Sequence, residues 1–392
     1  MIYLDHGATT PVHPEVIEEM MPFLREFYGN PSSLHRSGGE AKKAVETARE
    51  RVAALIGARP DEIVFTAGGT EADNLAVLGA ALARMDRGSH IVTTAVEHHA
   101  VLNPCRHLER MGYAVTVLPV DGRGRIDLGM LRDILTDRTI LVTVMHGNNE
   151  IGTLEPVAGA AALARERGIP FHTDAVQTAG KIPVDVGGFP VDFLTLSGHK
   201  IYGPKGVGAL FVRRGAGLAP VLHGGGHERG LRPGTENVPG IAGFGKACEI
   251  ALRDLSSQRE HLEELRYYLA SRIEEEIGET RRNGGDGEEA LPHILNVSFR
   301  ALPAEQIVSE LDRMGIAVSA GSACTAGTVE VSHVMEALGV PREWAAGSVR
   351  FSLGRGSTLE EMDRTVDALR ETVEKLRGIA ELERSLGRRG CI

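Results

Sequence analysis

The sequence is poor in lysine and cysteine and has no long apolar run. Only seven lysines occur among its 43 basic residues, so arginine carries most of the positive charge. The cysteines lie far apart without a CxxC pair, at Cys105, Cys248, Cys324 and Cys391. This spacing argues against a zinc site and fits a reducing cytoplasm. No apolar stretch approaches the roughly 20 residues that span a bilayer, so we expect no membrane partner.

The charge pattern excludes another class of partner. The formal net charge is -10, and no basic run with interleaved aromatics occurs, so we expect no nucleic-acid partner. The opening MIYLDHGATTPVHPE lacks the basic-then-apolar order of a signal peptide, and we therefore expect a cytoplasmic protein. A chain of 392 residues indicates two domains.

Apolar strand patterns alternate with helical patterns through the first 240 residues. Segments such as EIVFT, TILVTVMH and VDFLTLS are apolar on both faces, which predicts a largely parallel sheet covered on both sides. After about Pro239 a long charged helical region, Ile241–Ile277, contains the expected domain boundary. The polar loop Gly284–Ala290, which we expect to face solvent, then leads to the strand ILNVSF and a smaller α/β region.

Lys200 lies in the stretch TLSGHKIYGPKG, after the apolar segment VDFLTL. A lysine at the end of a buried strand loses solvation, which lowers its pKa and makes its amine nucleophilic. Such an amine suits a Schiff base with an aldehyde cofactor such as pyridoxal phosphate. The alternative, from this stretch alone, is a surface lysine in a glycine-rich turn.

Other strand ends carry polar groups that should converge, because ligands bind beyond the carboxyl ends of parallel strands. The turn FTAGGTEADN places Thr70 at a helix start, which suits a phosphate. Asp174 ends an apolar strand, where a protonated pyridine nitrogen would relieve the cost of a buried carboxylate. An imidazole of EHHAVL could stack on a flat ring, and Asn149 or Gln177 could reach a ring oxygen. Each alone also fits a helix cap, a surface histidine pair or a turn; together they favour a site.

These motifs carry a family resemblance. The segments EADN, EHHAVL, NNEIGT, HTDAVQ, SGHKIYGPKG, GGGHERGLRPGTENV and SAGSACT, in this order, closely resemble the cysteine desulfurases of the NifS/IscS type. These belong to the fold-type I, class V enzymes that depend on pyridoxal phosphate. The resemblance implies a large domain of residues 16–255 with a mainly parallel seven-stranded sheet flanked by helices. It also implies a small α/β domain of residues 1–15 and 256–392, and a homodimer.

The resemblance also implies roles for individual residues. Lys200 would bind the cofactor aldehyde covalently, His98 would stack on the ring as a catalytic residue, and Asp174 would pair with the ring nitrogen. Gln177 and Asn149 would contact the ring oxygen and the substrate side. The phosphate would be held by Gly69, Thr70, Ser197 and His199, with Thr235 supplied by the neighbouring subunit.

On the substrate side, the resemblance implies that Arg350 binds the carboxylate of L-cysteine, bidentately as a planar guanidinium suits, and that Asn30 assists. Cys324 lies in VSAGSACTAGT, where small neighbours leave no large apolar anchor. Its thiolate would take the substrate sulfur, giving a persulfide and L-alanine, and pass the sulfur to an iron–sulfur scaffold or another acceptor. The SAC form, without an RxGxxC pattern, places the chain with the NifS/IscS-like group.

Two segments depart from the family pattern. The opening reads LDHGATT where relatives commonly have LDNAATT, which leaves the surroundings of His6 open, and the tail ELERSLGRRGCI, with Cys391, does not match a scaffold-docking tail. The alternatives are another class V enzyme, an aminotransferase or a selenocysteine lyase, and a non-catalytic sulfur-assembly partner with this fold. Intact Lys200, Asp174 and Cys324 argue against the non-catalytic alternative.

Overall fold

The structure is a computed structural model that describes residues 1–321 and 331–389. Cys324 and Cys391, both considered above, lie outside the described residues. Among the described residues no helix is both long and apolar enough to cross a membrane.

A seven-stranded sheet forms the centre of the larger part, in the order β2-β8-β7-β6-β5-β3-β4. Its strands are β2 (Ile63–Thr66), β3 (His90–Thr94), β4 (Ala114–Leu118), β5 (Thr139–Thr143), β6 (Phe171–Asp174), β7 (Phe193–Ser197) and β8 (Gly208–Val212). Only β8 runs antiparallel to its neighbours, β2 and β7. Residues 198–207 connect β7 to β8, and they are too few for the crossover that a parallel pair of strands needs. The predicted seven-stranded, mainly parallel sheet is confirmed.

Helices cover both faces of this sheet. They are α1 (Pro14–Arg25), α2 (Arg36–Leu55), α3 (Gly69–Leu82), α4 (His99–Arg110), α5 (Leu128–Ile134), α6 (Val157–Glu166) and α7 (Val238–Arg253). Neighbouring strand residues point to opposite faces: Val64 packs in the cluster with α3 and α4, whereas Phe65 packs in the cluster with α2 and α7. Burial on both faces explains why the strands are apolar throughout.

The contact between α2 and α7 depends on a glycine. A Cβ atom at Gly245 would lie 2.5 Å from the Cα atom of Ala48, so only glycine lets the two helix backbones approach this closely. The helix α7 begins after Asn237, whose side chain accepts a hydrogen bond from the Gly240 N–H, with Pro239 in its first turn.

The smaller part has its own sheet and core. Its elements are β1 (Ile2–Tyr3), α8 (Leu255–Glu276), β9 (Thr280–Asn283), β10 (Ile294–Phe299), α9 (Ala304–Arg313), β11 (Ile316–Ala317), β12 (Ser319–Ala320), α10 (His333–Ala337), α11 (Arg342–Ala345), β13 (Ser348–Ser352) and α12 (Leu359–Arg389). An antiparallel sheet runs β12-β13-β10-β9, and β1 pairs with β11.

The largest apolar clusters support the division into domains, and one smaller cluster, with Met145 and Met335, joins the two parts. The helical region Ile241–Ile277 divides at Asp254, where α7 ends and α8 begins. Ile2 and Leu4 pack with residues between 262 and 376, not with the core of the large sheet. We therefore propose the division into residues 16–255 and residues 1–15 with 256–392.

One expectation about a loop is correct only for its middle residues. Within Gly284–Ala290, which we expected to face solvent, Gly285 and Ala290 are buried and only residues 286–288 are exposed. The Gly285 N–H donates to the Thr153 hydroxyl at 2.8 Å, so the loop packs on the segment that follows Asn149. Polarity misled the prediction because these groups find hydrogen-bond partners inside the protein.

Candidate active site

A cavity of about 350 Å³ opens beyond the carboxyl ends of β5, β6 and β7. It is lined by ten of the residues that the sequence predicts for the site: Gly69, Thr70, His98, Asn149, Asp174, Gln177, Ser197, His199, Lys200 and Arg350. Most of these residues meet because parallel strands end at one edge of the large sheet, whereas Arg350 comes from β13 of the smaller part. Gly7, Ala8 and Asp73, which we did not predict as site residues, line the same cavity.

Lys200 ends a short turn of residues 198–200 that follows the fully buried strand β7. Its Nζ atom donates hydrogen bonds to the carbonyl oxygens of Gly7, at 2.6 Å, and Ala8, at 2.7 Å. Burial is the main cause that lowers the pKa of Lys200 to about 8; the positive charge of Arg350 acts in the same direction, whereas Asp174 opposes the shift. The amine therefore loses its proton more readily near neutral pH than an ordinary lysine does, as a nucleophile requires.

The segment Asp5–Thr9 closes the cavity over Lys200, and the sequence did not reveal this role. The Gly7 N–H donates to the Ser352 hydroxyl at 2.8 Å, which fixes the segment to β13. A Cβ atom at residue 7 would lie 3.1 Å from the Ser352 Oγ atom and 3.4 Å from the Arg350 Cζ atom. The sequence signal for this contact was Gly7 in LDHGATT, where relatives commonly have LDNAATT, because glycine permits such a close approach.

Asp174 ends β6 with 6% of its surface exposed. Its Oδ1 atom accepts a hydrogen bond from the Val176 N–H at 2.9 Å. Burial raises the pKa of Asp174 to about 6, although that hydrogen bond and the positive charge of Lys200 both act to lower it. A buried carboxylate of this kind favours a cationic partner.

Gln177 also lines the cavity, but its side chain already has partners. Its Nε2 atom donates to the Gly7 carbonyl oxygen at 2.9 Å, and its Oε1 atom lies 3.4 Å from the His293 Nε2 atom. Gln177 thus connects the strand end of Asp174 to the segment that holds Lys200.

The start of α3 leaves backbone N–H groups that could bind an anion. No side chain of the described residues caps this helix, so N–H groups of its first turn remain available to a ligand. A Cβ atom at Gly69 would lie 3.0 Å from the Val176 Cγ2 atom and 3.5 Å from the Ser197 Cβ atom. Glycine therefore lets the helix start sit close against the ends of β6 and β7. Ser197 and His199 line the same cavity.

His98 caps the next helix, α4. Its Nδ1 atom accepts a hydrogen bond from the Ala100 N–H at 3.1 Å, so in the neutral ring the proton lies on Nε2. Burial lowers the pKa of His98, and the charge of Lys200 adds to this effect. The ring is therefore neutral at neutral pH, which suits stacking on an aromatic cofactor.

Arg350 reaches the cavity from the smaller part and is 7% exposed. One terminal nitrogen donates to the Asp5 Oδ1 atom at 2.7 Å, and the other donates to the Asn149 carbonyl oxygen at 2.8 Å. The Nε atom is buried without a hydrogen-bond partner in the part of the chain that the structure describes. Each terminal nitrogen carries a second N–H group, so the guanidinium retains donors for an incoming carboxylate.

Two predicted residues do not reach the cavity. Asn30 is exposed, and its side-chain oxygen accepts a hydrogen bond from the Ser32 N–H at 2.9 Å, as a turn residue does. Thr235 is exposed on the segment before α7 and does not line the cavity of its own chain. The roles of Asn30 and Thr235 therefore stay predictions.

A second cavity of about 1150 Å³ adjoins the first and shares His98, Asn149 and Arg350 with it. Gly321 and Val331, which flank the stretch that contains Cys324, also line it. The described residues on either side of residues 322–330 therefore lie at the cavity that adjoins the Lys200 cavity.

The fold and the cavity define a class. The family model "Aminotransferase class-V" matches residues 2–365, which include every described residue of the cavity. A cysteine desulfurase IscS from Dictyoglomus turgidum is 49% identical over 379 residues, which are 97% of this chain and 96% of that protein.

Solved structures agree with this assignment. A "NifS-like protein" superposes with a TM-score of 0.90 at 40% identity, covering 96% of this chain and 100% of that one. A structure titled "SspA in complex with cysteine" has a TM-score of 0.79 at 37% identity, covering 91% and 100%. The chain belongs to the aminotransferase class-V family and, within it, to the cysteine desulfurases of the NifS/IscS type. The predicted family, fold class and enzyme class are confirmed.

Proposed function

We propose that this cysteine desulfurase uses pyridoxal phosphate to remove the sulfur atom from L-cysteine, leaving L-alanine and a persulfide on Cys324. The observation that carries the proposal is the convergence of Lys200, Asp174 and Arg350 on one cavity. A nucleophilic amine, a buried carboxylate and a guanidinium are the groups that an amino-acid substrate and a pyridinium aldehyde cofactor require.

The residues present fit this cofactor. The uncapped start of α3 suits its phosphate, the Asp174 carboxylate suits a protonated ring nitrogen, and the Lys200 Nζ atom suits its aldehyde. We propose that Gly69, Thr70, Ser197 and His199 hold the phosphate, that His98 stacks on the ring, and that Asn149 and Gln177 lie on the side of the ring oxygen. When bound, pyridoxal phosphate supplies an aldehyde that couples to amines and a ring that withdraws electrons.

The chain's own groups account for substrate binding and proton transfer. Arg350 would bind the substrate carboxylate bidentately through its planar guanidinium, and Asn30 would assist. Lys200, with its pKa lowered to about 8, would take the proton from the substrate α-carbon and hold it on Nζ. The solved relative whose title names cysteine as its ligand supports L-cysteine as the substrate.

Cys324 would complete the reaction. Its thiolate attacks the substrate sulfur, so an S–S bond forms as the substrate C–S bond breaks, and the substrate carbon keeps the electron pair and takes a proton. The persulfide sulfur then passes to an acceptor, which we propose to be an iron–sulfur scaffold or another thiolation partner. A cytoplasmic location remains a prediction from the sequence.

The alternative class V activities differ from a desulfurase in whether they need Cys324. An aminotransferase would not need Cys324, whereas a desulfurase would lose sulfide release without it. Incubation with ³⁵S-cysteine, followed by identification of the proteins that co-purify with label, would identify the acceptor. Labelled alanine from ¹³C-cysteine would establish the reaction itself, and its absence would contradict the proposal.

We expect Asp174→Asn to keep the shape of the site and to lose most of the activity. The amide cannot stabilise a cationic ring nitrogen, so α-proton abstraction should slow by a factor on the order of 10² or more. Deuterium exchange at the α-carbon of L-cysteine measures this step separately from sulfur transfer. The matched control is Asp192→Asn, at a half-buried carboxyl outside the cavity. Near-normal exchange in Asp174→Asn would contradict the electronic role.

We also propose a homodimer in which Thr235 of a second copy completes the phosphate site. Its exposure and its absence from the cavity of its own chain support this arrangement. Mixing inactive Lys200→Ala and Thr235→Ala proteins should restore activity, because one site of each mixed dimer has both intact residues. Light scattering should give twice the chain mass. A fully active monomer, or mixtures without recovery, would contradict the shared site.

A further inference from the structure

Asp73 is a buried carboxyl group in the cavity to which the proposed reaction assigns no role. It lies in the first turns of α3, is 1% exposed and lines the same cavity as Asp174 and Lys200. Its Oδ1 atom has no hydrogen-bond partner among the described residues. A buried carboxylate oxygen without a partner is costly, so it calls for a functional reason.

The nearby histidine does not neutralise this carboxyl group. The His172 Nε2 atom lies 3.5 Å from the Asp73 Oδ1 atom, but its hydrogen-bond partners are the Thr143 hydroxyl at Nδ1 and the Thr195 hydroxyl at Nε2, at 2.8 Å and 3.1 Å. His172 is fully buried, and burial lowers its pKa to about 3. The imidazole is therefore neutral, and no ion pair forms.

The charged groups around Asp73 are mostly acidic. Burial raises its pKa well above the ordinary value, and the charges of Asp174 on β6 and Glu97 before α4 raise it further. A hydrogen bond with the Thr195 hydroxyl on β7 opposes this. The cation near this pair is Lys200, whose positive charge lowers the pKa of Asp174. Two neighbouring carboxyl groups in a desolvated site do not both ionise freely.

We propose that Asp73 and Asp174 form a coupled pair: in the cofactor-free protein Asp73 carries a proton while Asp174 is ionised, and Asp73 ionises when a cationic ring nitrogen lies beside Asp174. Asp73 would then be a positioning residue whose charge strengthens the preference of the site for this cation. The second half rests on the proposed use of pyridoxal phosphate. A cationic ring nitrogen beside Asp174 favours ionisation of Asp73, and the Asp73 charge in turn favours the protonated ring nitrogen. This mutual effect follows from linkage between the two protonation equilibria.

The first experiment uses the cofactor-free protein with ¹³C-labelled aspartate. Infrared or NMR titration should show one aspartate that stays protonated at neutral pH, and Asp73→Asn should remove this signal. In Asp174→Asn, the Asp73 titration should move to lower pH by about one unit or more, because a like charge is gone. An ordinary acidic titration of Asp73 in the wild type, or one that Asp174→Asn leaves in place, would overturn the pair. The titration of Asp73 in the wild type tests the pair even if a variant does not fold.

The second experiment uses the loaded enzyme and the ¹⁵N signal of the labelled cofactor ring. In Asp73→Asn, the ring nitrogen should lose its proton at a pH lower by about one unit than in the wild type. Glu155→Gln is the matched control, since burial raises the pKa of this carboxyl to about 7 outside the cavity, and it should leave the ring nitrogen unchanged. An unchanged ring nitrogen in Asp73→Asn would overturn the positioning role.

The two experiments also separate the inference from the proposed function. Wild-type protein that takes up no pyridoxal phosphate would contradict the proposed function and the positioning role. The titrations of the cofactor-free protein would still decide whether Asp73 and Asp174 are coupled.

Discussion

Replacing Lys200 with alanine is expected to abolish covalent attachment of the cofactor and to reduce desulfuration by a factor on the order of 10⁴. The reason is that Lys200 is the one lysine among the described residues that lines the cavity, and the pKa of its amine is lowered to about 8. Borohydride reduction of the wild type should fix the cofactor to the single peptide that contains residue 200. A small primary amine added to Lys200→Ala should restore part of the α-proton exchange.

The matched control is Lys205→Ala, an exposed lysine of the following turn. It should keep the reduced adduct and most of the activity. A reduced adduct on the peptide of Lys205 or Lys181 would show that the wrong lysine has been assigned. Lys181 is a meaningful competitor because it is buried and burial lowers its pKa to about 8, but it does not line the cavity.

Cys324→Ser is expected to separate cofactor chemistry from sulfur transfer. The variant should bind pyridoxal phosphate and exchange the α-proton of L-cysteine, while sulfide release falls by several orders of magnitude, as it does when an attacking nucleophile is removed. Mass spectrometry of the wild type after incubation with L-cysteine should show added sulfur on the peptide of Cys324. The result would also distinguish a desulfurase from the other class V activities.

The remaining cysteines serve as controls for this experiment. Cys105 and Cys248 are buried, and burial raises the pKa of Cys105 to about 12 and that of Cys248 further still. Their thiols therefore stay protonated and unreactive. Cys391→Ser should leave sulfide release unchanged. Added sulfur on any of these three cysteines, or normal turnover of Cys324→Ser, would contradict the proposed mechanism.

The sequence motifs predicted residues that line one cavity wherever a reactive side chain follows a strand end. Lys200 after β7 and Asp174 at the end of β6 were assigned from an apolar run followed by a reactive side chain, and both line the cavity. Such patterns work because one edge of a parallel sheet collects the residues that follow each strand. Asn30 and Thr235 came from the resemblance alone, and a single chain does not place them in the cavity.

The sequence by itself determined the α/β class and the positions of Lys200 and Asp174 at strand ends, because these depend on short-range patterns of apolar and reactive residues. Only the tertiary structure decided that Gly7 and Ala8 hold the Lys200 amine, contacts that join residues 193 and 192 positions apart. It also decided that Asp73 shares a cavity with Asp174 and that Asp5 pairs with Arg350. These contacts depend on how elements that are far apart in the sequence pack together, and no local pattern in the chain encodes that packing.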